Sequence, residues 1–163
     1  MKKIVLIGFA ASGKSSVGKL IAERLNMAFV DTDVEIEREL GMTVQQIFDK
    51  YGEEFFRQKE NEILAGLVGK QNTVVACGGG SVLAESFAQL ELDSLVILLT
   101  ATAATVKRRL GNTSRPLFDN LSEDELADFI AARAPLYRRH ADVTFPTDNL
   151  TPEQVATAME TLN

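Results

Sequence analysis

The sequence predicts an α/β fold in which helices cover both faces of one five-stranded parallel sheet, a three-layer arrangement. Three observations carry this expectation. Strand-like and helix-like stretches alternate along the chain, as repeated βα units require. Ser94 to Leu99 is an unbroken apolar run, as a strand buried on both faces needs. Between the first strand and the first helix lies Gly8-Phe9-Ala10-Ala11-Ser12-Gly13-Lys14-Ser15, which fits G-x-x-x-x-G-K-[ST].

The elements follow in order. Ile4 to Ile7 is an apolar strand, and Val17, Leu20, Ile21 and Leu25 mark one face of a helix. Met27 to Val30 reads as the second strand, ending in Asp31-Thr32-Asp33. Thr43 and Gln46 form a capping box that starts a helix, and a longer helical stretch covers residues 53–68. Thr73 to Cys77 is the third strand, closed by Gly78-Gly79-Gly80. After the central strand at Ser94, residues 102–110 read as a helix ending in Lys107-Arg108-Arg109. Residues 111–121 carry Gly, Asn, Pro and Asp and read as a loop, long enough to suggest a lid. Ser122 and Glu125 box the start of a helix reaching Arg139, and Val143 to Phe145 is a short last strand. Thr151-Pro152-Glu153-Gln154 combines a cap, a proline in the first turn and a reciprocal Gln, opening a terminal helix.

Composition narrows the function classes. The 163 residues suit one domain, with no repeat or linker. No apolar stretch approaches a membrane span, so no membrane partner is expected. A secretory leader is a weaker reading of Met1-Lys2-Lys3 and its apolar run, because that run continues into Gly13-Lys14. The net charge of −6 and the lack of a basic stripe argue against nucleic acid. Cys77 is the single cysteine, which excludes an internal disulfide and suits a reducing cytoplasm. The single histidine, His140, excludes a zinc site built on two histidines and is expected at a surface helix end.

The Gly8–Ser15 segment is a phosphate-binding loop, or P-loop, in the right context. Its backbone N–H groups and the following helix N-terminus favour a polyphosphate. Lys14 would reach the outer phosphates, and Ser15 would ligate Mg²⁺. The bland alternative is a glycine turn joining strand to helix. Ligands of open α/β sheets bind at the carboxyl ends of strands. That rule gathers the loop, Asp31-Thr32-Asp33 and Gly78-Gly79-Gly80 in one crevice. If strand geometry persists, Asp31 and Asp33 share a face. One could then orient Mg²⁺-bound water while the other accepts a hydroxyl proton. Otherwise the pair merely caps a helix. The three glycines are either a turn or a place where backbone approaches a ligand. Arg57, Arg108, Arg109, Arg115, Arg133, Arg138 and Arg139 stand out in an acidic chain. Arg115, before Pro116 in the expected lid, is placed to stabilise transferring phosphates. No N-K-x-D sequence is present to read guanine.

An ordered set of motifs now carries a resemblance over nearly the whole chain. They are the P-loop, Asp31-Thr32-Asp33, Phe55-Phe56-Arg57, Cys77-Gly78-Gly79-Gly80, Asn112-Thr113-Ser114-Arg115-Pro116-Leu117 and Arg133-Ala134-Pro135-Leu136-Tyr137. Together they resemble those of the shikimate kinases. The resemblance implies transfer of the ATP γ-phosphate to the 3-hydroxyl of shikimate, on the way to chorismate and aromatic amino acids. It implies a nucleoside-monophosphate-kinase-like fold with a substrate-binding helical segment near 32–60 and a lid near 111–123.

Carried onto this sequence, Asp33 would bond shikimate hydroxyls and act as base, while Arg57 and Arg133 would clamp its carboxylate. Gly79 and Gly80 would bring backbone to the substrate. Ala11, Ser12, Gly13, Lys14, Ser15 and Ser16 would hold the nucleotide phosphates. Ser15 would bind Mg²⁺, with Asp31 behind it through water. Arg108 would stack on adenine, and Arg115 would contact the phosphates. Two departures stand out. The family often has a further Gly where this chain has Ala11, and often an Arg after the last strand, where Thr147-Asp148-Asn149-Leu150 supplies none. Read bottom-up, the residues specify only an Mg²⁺–ATP phosphotransferase with an anionic, hydroxylated acceptor, expected as a cytoplasmic monomer. A gluconate-kinase-like enzyme of the same fold and a non-catalytic ATP or metabolite sensor are the other readings.

Overall fold

In a computed structural model, residues 2–111, 118 and 120–162 are described. They build a five-stranded sheet in the order β2-β3-β1-β4-β5, and every pairing is parallel. The strands are β1 (Lys3–Ile7), β2 (Ala28–Asp31), β3 (Thr73–Ala76), β4 (Ser94–Thr100) and β5 (Val143–Pro146). Leu6 of β1 lies between Ala76 of β3 and Ile97 of β4, so the P-loop leaves the middle of the sheet.

Alternation along β1 assigns its side chains to two cores. Ile4 and Leu6 pack with α1 (Lys14–Leu25) and α7 (Pro152–Glu160), through Val17, Ile21, Val155 and Met159. Val5 and Ile7 face the opposite layer, with Leu64, Phe87, Val106 and Leu126. Those residues belong to α3 (Val44–Leu67), α4 (Phe87–Leu92), α5 (Ala103–Leu110) and α6 (Glu123–His140). Leu6 is fully buried, and its truncation to Ala would cost about 2–5 kcal/mol. The third cluster is Ile36, Ile47 and Phe56, which joins α2 (Thr32–Leu40) to α3 outside the sheet.

The three capping boxes stand where their sequences place them, at Thr43, Ser122 and Thr151. The helices starting at 44 and 53 are continuous except at Gly52, whose φ of 84° and ψ of 171° put a kink between them. A left-handed φ of this kind is what glycine permits at no steric cost. Helix α4, a short turn under β4, was not anticipated. Helix α2 begins directly at the end of β2, so of the two readings of Asp31 and Asp33 the helix cap holds and the shared strand face does not. Asp31 ends β2 with extended φ and ψ and caps α2, and Asp33 lies in the first helical turn. His140 ends α6, as expected, with Nδ1 2.7 Å from Glu91 and its ring edge-on to Phe87.

Candidate active site

The carboxyl ends of β1, β2 and β3 open onto a hollow of about 370 Å³. Ala11, Gly13, Lys14, Ser15, Ser16, Asp31, Asp33 and Gly79 line it, so eight expected residues come together. Gly13 precedes α1, and no side chain among the described residues caps this helix. Its first N–H groups therefore face the hollow with the positive end of the helix dipole. The Lys14 ammonium folds back along the loop, donating to the carbonyls of Gly8 at 2.7 Å and Phe9 at 2.8 Å. Ser12 is wholly buried, and its hydroxyl has no hydrogen-bond partner among the described residues. Its carbonyl accepts from Thr147 Oγ1 at 2.8 Å.

Ser15 Oγ donates to Asp31 Oδ2. The other oxygen, Oδ1, accepts from the N–H groups of Asp33 at 3.1 Å and Val34 at 3.2 Å. Asp31 is thus both helix cap and partner of the P-loop hydroxyl. This pair is a hard oxygen-donor set of the kind Mg²⁺ prefers. Among the described residues no group of three or more His, Cys, Asp or Glu could hold a metal without help. Such a site suits an ion that arrives with phosphate oxygens and water.

Thr32 Oγ1 accepts from the N–H of Gly78 at 3.0 Å, which ties the start of α2 to the end of β3. A Cβ on Gly78 would lie 2.8 Å from Asp33 Oδ1 and 3.0 Å from Glu60 Oε2. Two carboxylates therefore converge on a bare backbone. Cys77 lines the same wall, and burial pushes its thiol well above the ordinary range, so it stays protonated.

A second, smaller hollow of about 90 Å³ adjoins the first, and Gly79 belongs to both. Arg57, Gly80, Arg133 and Tyr137 line it with Glu53. Both expected clamp arginines are therefore present. Arg57 Nη1 pairs with Glu60 Oε1 at 3.0 Å, and Nη2 lies 3.6 Å from Glu53. Glu60 is 1% exposed and also accepts from Ser81 Oγ at 3.0 Å. Tyr137 donates its hydroxyl to the carbonyl of Gly79 at 2.6 Å. Burial raises the phenol's pKa and the adjacent Arg133 lowers it; burial prevails, which keeps Tyr137 a donor.

Arg108 is exposed and does not line the nucleotide-side hollow; its neighbour Arg109 does. Arg109 Nη1 donates to the carbonyl of Ala11 at 2.9 Å and to Thr147 Oγ1 at 3.1 Å, and Nη2 donates to the carbonyl of Thr147 at 3.0 Å. One guanidinium thus fastens the P-loop to the segment after β5. The helix phase of α5 puts one of the two arginines on the hollow, because adjacent residues on a helix point about 100° apart. Arg115 and most of the expected lid, residues 112–117 and 119, lie outside the described residues.

Glu60, Arg109, Tyr137 and Thr147 had no role of their own in the sequence reading, although Arg109 stood among the arginines and Tyr137 closed one of the motifs. Two of them had a signal in their spacing. Glu60 follows Arg57 by three residues and Tyr137 follows Arg133 by four, the spacings at which helical side chains meet. Thr147 had none, because its role depends on a contact with Ser12 far away in sequence.

Comparison with known proteins fits this geometry. The family model described as shikimate kinase matches residues 10–162. The shikimate kinase of Thermodesulfovibrio yellowstonii is 42% identical over 159 residues, covering 96% of this chain and 91% of that protein. That of Flavobacterium psychrophilum is 40% identical over 160 residues, covering 93% of each. Among solved structures, shikimate kinase from Acinetobacter baumannii in complex with shikimate superposes with a TM-score of 0.92 at 32% identity, over 99% of this chain and 92% of that one. A gluconokinase from Sinorhizobium meliloti reaches a TM-score of 0.62 at 18% identity, over 99% of this chain and 91% of that one, a likeness of fold alone. No helix among the described residues is long and apolar enough to cross a membrane. With the P-loop, Asp31 and Asp33 on one hollow and Arg57 and Arg133 on the other, the chain belongs to the shikimate kinase family.

Proposed function

We propose that this protein transfers the γ-phosphoryl group of ATP to the 3-hydroxyl of shikimate, giving shikimate 3-phosphate and ADP. The observation that carries the reading is the pair of hollows meeting at Gly79. One is built from a P-loop and the other from two arginines, so a phosphoryl donor and an anionic acceptor would meet at a shared wall.

In this reading Lys14 leaves the carbonyls of Gly8 and Phe9 for the β- and γ-phosphates, which offer it full negative charge. Ser15 and Asp31 would hold Mg²⁺, which supplies charge neutralisation on the phosphates. Arg57 and Arg133 would bind the acceptor carboxylate and so set the hydroxyl in line. Positioning of that kind is the main contribution a protein makes to phosphoryl transfer. Asp33 lies beside Gly78 at the junction and would accept the hydroxyl proton. Arg109 takes the nucleotide-side role first given to Arg108, because it lines the hollow and braces Ala11. The protein is read as cytoplasmic and monomeric.

Product analysis tests the reading. After incubation with Mg²⁺–ATP and shikimate, the phosphorylated product is isolated, and phosphorus–proton coupling locates the ester. Coupling to the proton on carbon 3 is expected. Ester at another oxygen, or phosphorylated gluconate formed in preference, would move the assignment to another hydroxy-acid kinase of the fold.

A further inference from the structure

Phe9 has no part in the chemistry above, yet it touches both halves of the site. Its ring is 5% exposed. The Arg133 guanidinium carbon lies over that ring, 5.6 Å from the centroid. Phe118 meets the same ring at 5.0 Å, and Phe129 of α6 meets Phe118 edge-on at 6.1 Å. The carbonyl of Phe9 meanwhile accepts from Lys14. A single P-loop residue therefore holds the phosphate-side cation through its backbone and an acceptor-side cation through its ring.

The two clamp arginines are supported differently. Arg57 is held by Glu60 and Glu53, whose carboxylates offset its charge. Among the described residues no carboxylate forms an ion pair with Arg133. Its supports are the Phe9 ring and the Tyr137 hydroxyl. An aromatic face holds a guanidinium without neutralising it and leaves the in-plane N–H donors to a ligand. Arg133 is thus the cation of this hollow whose charge is not already offset.

We propose that Phe9 is a positioning residue for the acceptor site: its ring fixes the Arg133 guanidinium beside Gly79 while leaving its charge for the acceptor carboxylate. This role rests on reading Arg133 as a ligand of that carboxylate, and the experiment separates the two. Steady-state kinetics with shikimate are measured for Phe9→Leu, Phe9→Met, Phe9→Tyr, Arg133→Met and the double variant Phe9→Leu/Arg133→Met. Thermal melts and Mg²⁺–ADP affinity accompany them. For Phe9→Leu, kcat/KM for shikimate should fall roughly threefold to thirtyfold, the worth of a cation–π contact, mainly through KM. ADP affinity should move by less than about twofold, and Phe9→Tyr, which keeps the ring, should restore kcat/KM. In the Arg133→Met background, Phe9→Leu should have no further effect, as pairs acting through one contact require. If Phe9→Leu folds poorly, Phe9→Met carries the same test. An Arg133→Met variant with unchanged shikimate KM overturns the clamp reading, and this role with it. A damaged Arg133→Met with an intact Phe9→Leu, or a Phe9→Leu loss of equal size in both backgrounds, overturns the role of Phe9 alone.

Discussion

The Ser15 hydroxyl donates to one oxygen of the Asp31 carboxylate, and the other oxygen caps α2. A structural duty and a chemical one therefore fall on the same side chain. Substitutions can separate them. Asn caps a helix about as well as Asp, whereas Ala loses about 0.5–2 kcal/mol. Asp31→Ala should lower Tm by about 2–6 °C in a chain of this size, and Asp31→Asn should change it by less than about 1 °C. Both should raise the Mg²⁺ concentration needed for half-maximal activity. An Asp31→Asn enzyme with an unchanged Mg²⁺ requirement would show that the carboxylate charge has no part in holding the metal.

Gly8 and Gly80 differ in what a methyl group would strike. At Gly8 a Cβ would sit 2.3 Å from the Leu99 carbonyl oxygen, at a φ of 146°. Neither β4 nor the loop can move aside cheaply, so Gly8→Ala should cost about 3 kcal/mol or more. At Gly80 a Cβ would sit 2.4 Å from Arg57 Nη1, the far end of a flexible side chain, and φ is −102°. Gly80→Ala should therefore melt within about 2 °C of wild type yet raise the acceptor KM about tenfold by displacing the guanidinium. Thermal melts and steady-state kinetics on the two variants check the contrast.

Ala11 adopts a φ of 59°, the left-handed region that disfavours a Cβ. The strain amounts to about 1–2 kcal/mol, and replacement by Gly adds about 0.4–1 kcal/mol of unfolded-chain entropy. The difference favours Ala11→Gly by up to about 1.6 kcal/mol, a rise in Tm of up to about 6 °C. Calorimetry measures it, and a fall in Tm would mean that the loop relaxes the strain in another way. An alanine at this place in the loop thus carries a backbone cost.

Much of this was legible because it is local. The P-loop, the three capping boxes and the apolar run of β4 are contiguous patterns whose physics needs no partner elsewhere in the chain. The five strands followed from them. The start of α2 stayed open because Asp31-Thr32-Asp33 reads equally as a strand end or a helix start, and only the capping geometry decides. Choosing Arg109 over Arg108 was beyond sequence reasoning for a related reason. The two differ only in helix phase, and the deciding contacts, Ala11 and Thr147, are 98 and 38 residues away.

That choice gives a further prediction. Arg109→Ala should raise the ATP KM by about tenfold to a hundredfold, since it removes the guanidinium's bond to the Ala11 carbonyl, and a hydrogen bond from a charged donor is worth about 1.5–3 kcal/mol. Arg108→Ala should stay within about twofold of wild type, as exposed surface changes usually do. The opposite ranking of ATP KM values would return the nucleotide contact to Arg108.

Lys14 and Arg133, one cation from each hollow, should fail in different ways. Lys14→Ala should mainly lower kcat, by about a hundredfold or more, because its charge is needed as phosphate charge develops. Arg133→Ala should mainly raise the acceptor KM. Parallel changes in both parameters for both variants would contradict the division of the site into a phosphate side and an acceptor side.

The central claim is that a phosphoryl donor and shikimate meet at Gly79. ADP release from Mg²⁺–ATP, measured with and without shikimate and beside gluconate and quinate, tests it most directly. A large rise with shikimate and none with the other two acids is the expected result. Protein that binds ATP yet releases no more ADP with shikimate than without it would contradict the account.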